Sequence, residues 1–356
     1  MLLGRSIDLT SYSIGGNIYD DAQFTETPVR TLNTTFQVLR EDVSPYASFG
    51  VPVDIVLRIK SGFLGSSSGA MGLDGLLKDT TWKHNSVVVA ATTVARTVDR
   101  RLNESASPLQ DWSSKIPPTQ THYASALYHG GWVVTLFRFQ CDVPADVISV
   151  RKVLTRHLGA SGCLDNATVE AWQKALDDLK SDEDIRGSVK TTTLVYTSVH
   201  LEDQVIDPTS LLQVASKLPD LIGPIGQPIY MELEPIRKLD KNFPAAKQNN
   251  EMQAELEKLD LMLDDVKIAK TNMMKWLSDT MTAFEDDQEE KIYKLLNVIN
   301  GCIRAFHKVG GEVSMFRPMD RGLLDPAYHY YLNNLERGIA NYNLAFLRLK
   351  EEIGKC

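Results

Sequence analysis

A few groups of residues in this chain have the types and spacing that chemistry needs. His122, within Thr121-His122-Tyr123, titrates near neutral pH and could act as a base or a pH sensor. No nucleophile or acid stands at a spacing that would work with it. Gly65-Ser66-Ser67-Ser68-Gly69 fits the G-x-S-x-G pattern of a nucleophile elbow, but that pattern needs a strand-turn-helix setting with an acid and a histidine downstream. Three serines between glycines read more simply as a flexible loop. Asp286, Asp287, Glu289 and Glu290 gather carboxylates without the interleaved spacing of a calcium loop, so they read as a solvated turn. Cys141, Cys163, Cys302 and Cys356 have neither metal-ligand spacing nor framework density and read as free thiols of a reducing compartment. The expectation is a chain that is not an enzyme, with no catalytic residue, no metal and no cofactor.

A glycine pair turns the question from reaction to shape. Gly130-Gly131 is separated from Thr121-His122-Tyr123 by six residues and directly precedes the apolar run Trp132–Gln140. A long strand that must bulge or bend uses residues without Cβ, because the φ values found there are cheap only for glycine. The stretch predicts a sharply bent sheet. Replacing both glycines by Val is expected to abolish any bend-dependent activity without unfolding the chain.

With 356 residues, 43% hydrophobic and 24% charged, the composition is ordinary for a globular protein of two domains. A net charge of −8 argues against a nucleic-acid partner, since duplex binding rests on Lys and Arg neutralising phosphates. It also weakens electrostatic attraction to anionic lipid. No apolar run approaches the ~20 residues of a spanning helix, Val87-Val88-Val89-Ala90-Ala91 being about the longest. The start, Met1-Leu2-Leu3-Gly4-Arg5-Ser6-Ile7-Asp8, lacks the basic and apolar regions of a secretory signal. Sequons at Asn33, Asn103 and Asn166 therefore read as chance, and synthesis in the cytoplasm is expected.

The elements that must hold these residues divide the chain. Up to about Lys241 it is rich in Val, Thr, Gly and Ser, and strands are expected at about 6–12, 51–60, 86–98, 121–128, 132–140, 189–199 and 229–233. Two insertions interrupt them. The first, 61–82, carries Phe63, Leu64, Leu73, Leu76 and Leu77; the second, 142–187, carries two amphipathic helices over 145–158 and 165–179. After the Pro244 region apolar residues recur at helical spacing, Met252, Leu256, Leu259, Leu263 and Val266 first, then Met273, Trp276, Leu277, Met281 and Phe284. Further helices are expected at about 289–307, broken by Gly310-Gly311, and at 326–353 with Asp325 as cap and Pro326 at the first position. The Met and aromatic stripe reads as the bundle's own core.

Thr121-His122-Tyr123, six residues and Gly130-Gly131 resemble the signature of the membrane attack complex/perforin family, except that Thr119-Gln120 stands where the signature opens with an aromatic and a glycine. The order of segments is similar to the stonefish-toxin-like branch: the stretch Gly69–Leu77, the strand at 86–98, the Thr-His signature, Pro228–Ile236 closing the domain, then a helical, focal-adhesion-targeting-like bundle. The resemblance implies an α+β fold, residues 1–241, in which a bent, twisted antiparallel central sheet is flanked by two helical clusters, followed by an α-helical bundle, residues 247–356. It makes His122 a sheet position and Gly130 and Gly131 a hinge. The chain ends where stonefish-toxin subunits continue into thioredoxin-like and SPRY domains.

The function implied is pore formation or membrane perturbation, with oligomerisation through sheet edges and conversion of both insertions into membrane β-hairpins. The residues that would enter lipid are those of the first insertion, with Val147, Ile148, Val150, Val153 and Leu154, and Val169, Trp172, Leu176 and Leu179 of the second. The partners implied are a lipid membrane and either copies of this chain or a second subunit, with release lacking a leader and membrane association on assembly. Two features count against lysis. Val147–Leu154 alternates only partly, and the charged run Lys180–Arg186 is costly to move through lipid. The pattern at 169–179 fits a stored membrane segment and a soluble helix packed on a sheet equally. The second reading is thus a non-lytic intracellular interaction protein that keeps the fold.

Overall fold

The computed structural model describes residues 3–39, 51–61, 86–201, 206–207, 210–280, 284–335 and 338–354. In chain order these form β1 (Arg5–Asp8), β2 (Ser13–Asn17), β3 (Phe24–Val38), α1 (Val53–Lys60), β4 (Ser86–Leu102), α2 (Trp112–Lys115), β5 (His122–Cys141), α3 (Asp146–Leu158) and β6 (Ser161–Cys163). There follow α4 (Asn166–Ser181), β7 (Val189–Thr197), α5 (Leu211–Ile222), β8 (Gln227–Pro235), α6 (Asn250–Asp279), α7 (Asp286–Gly310), α8 (Arg321–Asn333) and α9 (Tyr342–Ile353). The chain divides into two units, one of strands β1–β8 with α2–α5, the other of α1 with α6–α9.

The strands make one open antiparallel sheet in the order β2-β1-β5-β4-β3-β6, with β7 and β8 both on β5. β5 is its axis. Along one edge it pairs with β4 from Ala126 to Gln140. Along the other it pairs with β8 up to Gly130, opposite Gln227, and with β7 from Val133, opposite Thr197. Register shifts fall between Arg96 and Val98 of β4, between Pro28 and Thr31 of β3, and between Tyr128 and His129 of β5 against β8. Thr97 is the extra residue on β4, and its level matches these shifts of β3 and β5, so one line of bulges crosses the sheet, while further shifts lie off it at Ala124/Ala126 of β5 and Arg5/Ile7 of β1.

Above that line one face of the sheet is covered. Val87, Val89 and Ala91 of β4 and Phe137 and Phe139 of β5 pack with Val150, Val153 and Leu154 of α3 and with Trp172 and Leu179 of α4. Both helices carry apolar residues three and four apart, as expected, and Asp165 caps α4 by accepting from Thr168 N. α5 packs on the sheet through Leu218, against Ala95 and Val133.

In the second unit Met252, Leu256, Leu259 and Leu263 of α6 meet Ile299 and Phe306 of α7, Tyr331 of α8 and Phe346 of α9. Asn249 caps α6, and Glu285 with Gln288 forms a capping box on α7.

Several expectations change. Residues 51–60 are not a strand: α1 spans Val53–Lys60 and belongs to the helical unit. Its alternation also places Val53 with Leu57 and Asp54 with Arg58 on shared helix faces, and burial against α6 and α7 outweighs the strand propensity. Residues 326–353 are two helices. Asp320, not Asp325, caps α8 by accepting from Leu323 N, and Pro326 lies inside the helix. The runs 121–128 and 132–140 are one continuous strand, and β3 and α5 were not expected at all.

Candidate functional site

Thr121 is a buried clamp at the start of β5. Its Oγ1 donates to Ile7 O (3.1 Å) and accepts from Leu9 N (3.1 Å), while its carbonyl accepts from Ile236 N (2.9 Å). It ties the chain start to the segment after β8. His122 Nδ1 lies 3.1 Å from Thr121 Oγ1, and burial lowers the imidazole below its ordinary value, with Glu234 opposing. Tyr123 is buried against Tyr19, ring centroids 5.3 Å apart. Burial, first, and a hydrogen bond with Tyr19 raise its phenol above the ordinary tyrosine value. The three signature residues are therefore packing and hydrogen-bonding positions.

Gly130 and Gly131 stand elsewhere, about 26 Å further along the strand at ~3.3 Å per residue. Neither has a positive φ, which corrects the expected reason for the pair. Proximity is what demands glycine. A Cβ on Gly130 would lie 1.9 Å from Ala95 O of β4; on Gly131 it would lie 2.7 Å from Ile222 Cγ1 and 3.1 Å from Ser198 Oγ. A Cβ on Gly226, itself at φ +75°, would lie 2.5 Å from Gly130 O and 2.8 Å from Gly130 Cα. This is where the edge of β5 passes from β8 to β7. Ser198 fills the gap by accepting from Trp132 N (2.8 Å), and Thr97 Oγ1 spans the bulge to Ile225 O (2.5 Å). A cavity of about 310 Å³ opens beside it, lined by Gly130, Ser198, His200, Leu221, Ile222 and Gln227.

Below the bulges Tyr128 lies between two guanidinium groups, Arg96 at 4.2 Å and Arg101 at 5.0 Å from its ring centroid. Its hydroxyl donates to Glu232 and accepts from Arg101. Burial, then the Glu232 contact, pushes the phenol up to about 12.

The second insertion is folded down. Val150, Val153, Leu154, Trp172 and Leu179 are buried, Val147, Val169 and Leu176 half-buried, and Ile148 is exposed. Trp172 lies 4.8 Å from Phe137 and 6.2 Å from Phe139 between ring centroids, and its Nε1 is buried without a hydrogen-bond partner. His157 Nε2 meets Asp178 Oδ2 at 2.7 Å, joining α3 to α4. Between the helices, β6 pairs with β3 at Thr35↔Cys163. Phe63, Leu64, Leu73, Leu76 and Leu77 lie outside the described residues.

The expected site residues are thus spread over the start and the middle of β5 and the covering helices, not gathered in a pocket. Thr97, the bulge residue, and Ile222, which crowds Gly131, were not anticipated. A bulge residue has no sequence mark, but the spacing of Leu211, Val214, Leu218 and Ile222 before Gly223 marks a helix with its stop.

Several solved structures are similar to this chain, three of which follow. A stonustoxin structure aligns with 99% of it and 46% of the other chain, at 11% identity and TM-score 0.51. The fold is of the membrane attack complex/perforin type. The chain spans less than half the length of that stonustoxin chain. GNIP1Aa from Chromobacterium piscinae aligns with 72% of this chain and 54% of its own at 12% identity and TM-score 0.31. A cell invasion protein with a MAC/Perforin domain from Bacteroides thetaiotaomicron aligns with 74% and 60% at 11% identity and TM-score 0.29. No family model and no curated protein matches the sequence.

Proposed function

We propose that this chain perturbs lipid bilayers by assembling with copies of itself, or with a second subunit, and extending its sheet as membrane β-hairpins. One observation carries the reading. β3, β4, β5 and β7 are contiguous antiparallel neighbours, and both long connections leave from the same end, where Val38 faces Val89, Ser86 faces Gln140 and Cys141 faces Val189. Residues 142–188 and the β3–β4 connection each exceed the ~9–11 residues per strand that a tilted membrane strand uses. Extension in register would lengthen four adjacent strands together and satisfy their backbone groups by pairing. Among the described residues no helix is long and apolar enough to cross a membrane. The reaction chemistry of an enzyme, a cofactor and a nucleic-acid partner have no place in this reading.

The test uses the native thiol of Cys163. Thr35→Cys sets a second thiol directly across the β3–β6 pair, where cross-strand Cα separations of about 4.5–5.5 Å suit a disulfide. Wild-type protein is expected to release dye from liposomes and to form rings or arcs on them. The oxidised Thr35→Cys protein should be silent and recover with reductant. Release by the oxidised form would exclude conversion of the α3–α4 segment. No release by the wild type on any lipid would favour the non-lytic interaction protein.

A further inference from the structure

The connection between β3 and β4 contributes α1 to the helical unit, and all of α1 except Ile55 is buried there, three charged side chains included. Lys60 Nζ lies 2.6 Å from Asp260 Oδ1 and 2.6 Å from Asp264 Oδ1, with the three side chains enclosed. The two carboxylates are one helical turn apart on α6 and so share a face. Arg58 donates through Nε and Nη2 to Val313 O (3.1 and 2.9 Å), and Asp54 Oδ2 accepts from Met315 N (2.9 Å). Lys267 Nζ closes the end of the helix on Lys60 O at 3.1 Å.

The same residues, Val53-Asp54-Ile55-Val56-Leu57-Arg58-Ile59-Lys60, are rich in Val and Ile and largely alternate apolar with charged. That is a strand pattern held as a helix. At eight residues α1 is also shorter than the ~12–15 that an isolated helix needs in water. Packing on α6 and α7, with the buried charge contacts, is therefore what makes it helical.

We propose that α1 is a lock, in which the helical unit stores this part of the β3–β4 connection as a helix and Lys60 with Asp260 and Asp264 is the bolt that must open before it can extend as a strand. The proposal rests on the membrane reading above and adds to it a role for the helical unit as the restraint. Opening separates the lysine from two carboxylates that it meets at 2.6 Å in the closed state. Loss of the lysine alone leaves two neighbouring buried carboxylates, a strongly unfavourable arrangement.

Hydrogen exchange on the full chain, read by mass spectrometry over 51–61 and over α6, tests the lock directly. In the wild type the α1 amides should open ahead of those of α6, and Lys60→Met should speed α1 exchange by about 10-fold or more. Gly310→Ala gives a variant that removes no charge: its Cβ would lie 2.8 Å from Ser61 Cβ, wedging the end of α1 away from α7, and α1 exchange should again rise. The α6 amides show in each protein whether the unit stays folded. If α1 exchanges at the rate of α6 in the wild type and in Gly310→Ala, α1 is a fixed part of the bundle and the lock is wrong. Dye release from phosphatidylcholine/phosphatidylserine vesicles separates this from the membrane reading. Faster release by both variants ties the lock to insertion, and unchanged release with a loosened α1 overturns it as a restraint. Silence of every protein with α1 still opening early overturns the membrane reading, and with it the lock as a restraint on insertion, and leaves α1 as the part of the helical unit that opens first.

Discussion

Gly130 and Gly131 are adjacent, yet they answer to different neighbours. Gly130 faces a backbone carbonyl of β4, which cannot move without breaking the β4–β5 ladder, whereas Gly131 faces the end of an isoleucine side chain and a serine hydroxyl. Gly130→Ala should therefore destabilise the first unit by about 3 kcal/mol, and Gly131→Ala, where Ile222 can turn aside, by about 1 kcal/mol. Urea midpoints of the two variants check the difference; equal losses would mean that the close approach at Ala95 is not what selects glycine. It follows that valine at both positions is a poor probe of a hinge, since at Gly130 it would disturb the fold itself. Thr121 holds the chain in a comparable way, because its single hydroxyl serves both an amide and a carbonyl of the β1 region.

The α3–α4 pair is fixed to the sheet chiefly by Trp172, which is enclosed and packs on Phe137 and Phe139. Its unpaired indole N–H is a cost of about 1–3 kcal/mol borne by the docked state, so apolar contact must hold it there. Trp172→Ala should lower stability by about 3–5 kcal/mol, read as an earlier thermal transition with the β4 and β5 amides losing protection. Amide protection unchanged on the covered face would place the anchor elsewhere. These two helices were legible in the sequence because their apolar spacing is regular and Asp165 signals a start. β3 was not, because Pro28 and polar residues on both faces hide its pattern; of its side chains only Phe36 and Val38 are buried. α1 was misread because eight residues fit two periods and its deciding partners, Asp260 and Asp264, lie far along the chain. α8 was misplaced because Pro326 resembles a first-turn proline, while the tertiary contacts of Leu324 and Tyr331 carry the helix across it. That the sheet is irregular beside the glycine pair was legible, but the cause was not, since close approach depends on which strand lies opposite.

The molecule as a whole should be stable over a bounded range of pH. Burial lowers His122, His129 and His307 below the ordinary histidine value, with Arg100 adding to the effect at His129 and Lys267 and Lys270 at His307. A lowered folded-state value means that the unfolded chain takes up protons first. The contribution is present above about pH 6.5 and is lost as pH falls through the folded values. Urea midpoints should fall between about pH 7 and 5, and His122→Gln should flatten part of that slope. On the alkaline side Tyr128, raised to about 12, has the opposite sign: its contribution is full below about 10 and is lost as pH rises through about 12. A flat profile from pH 7 to 5 would show that these imidazoles are better solvated than their positions indicate. The enclosure of Trp172 also gives the chain an optical voice. An indole packed on two phenylalanine rings and shut off from water emits toward the blue. If α4 leaves the sheet, the wild type, compared with Trp172→Phe, will shift to the red in buffer and stay blue on entering acyl chains, so the colour of the light tells which way the helix went.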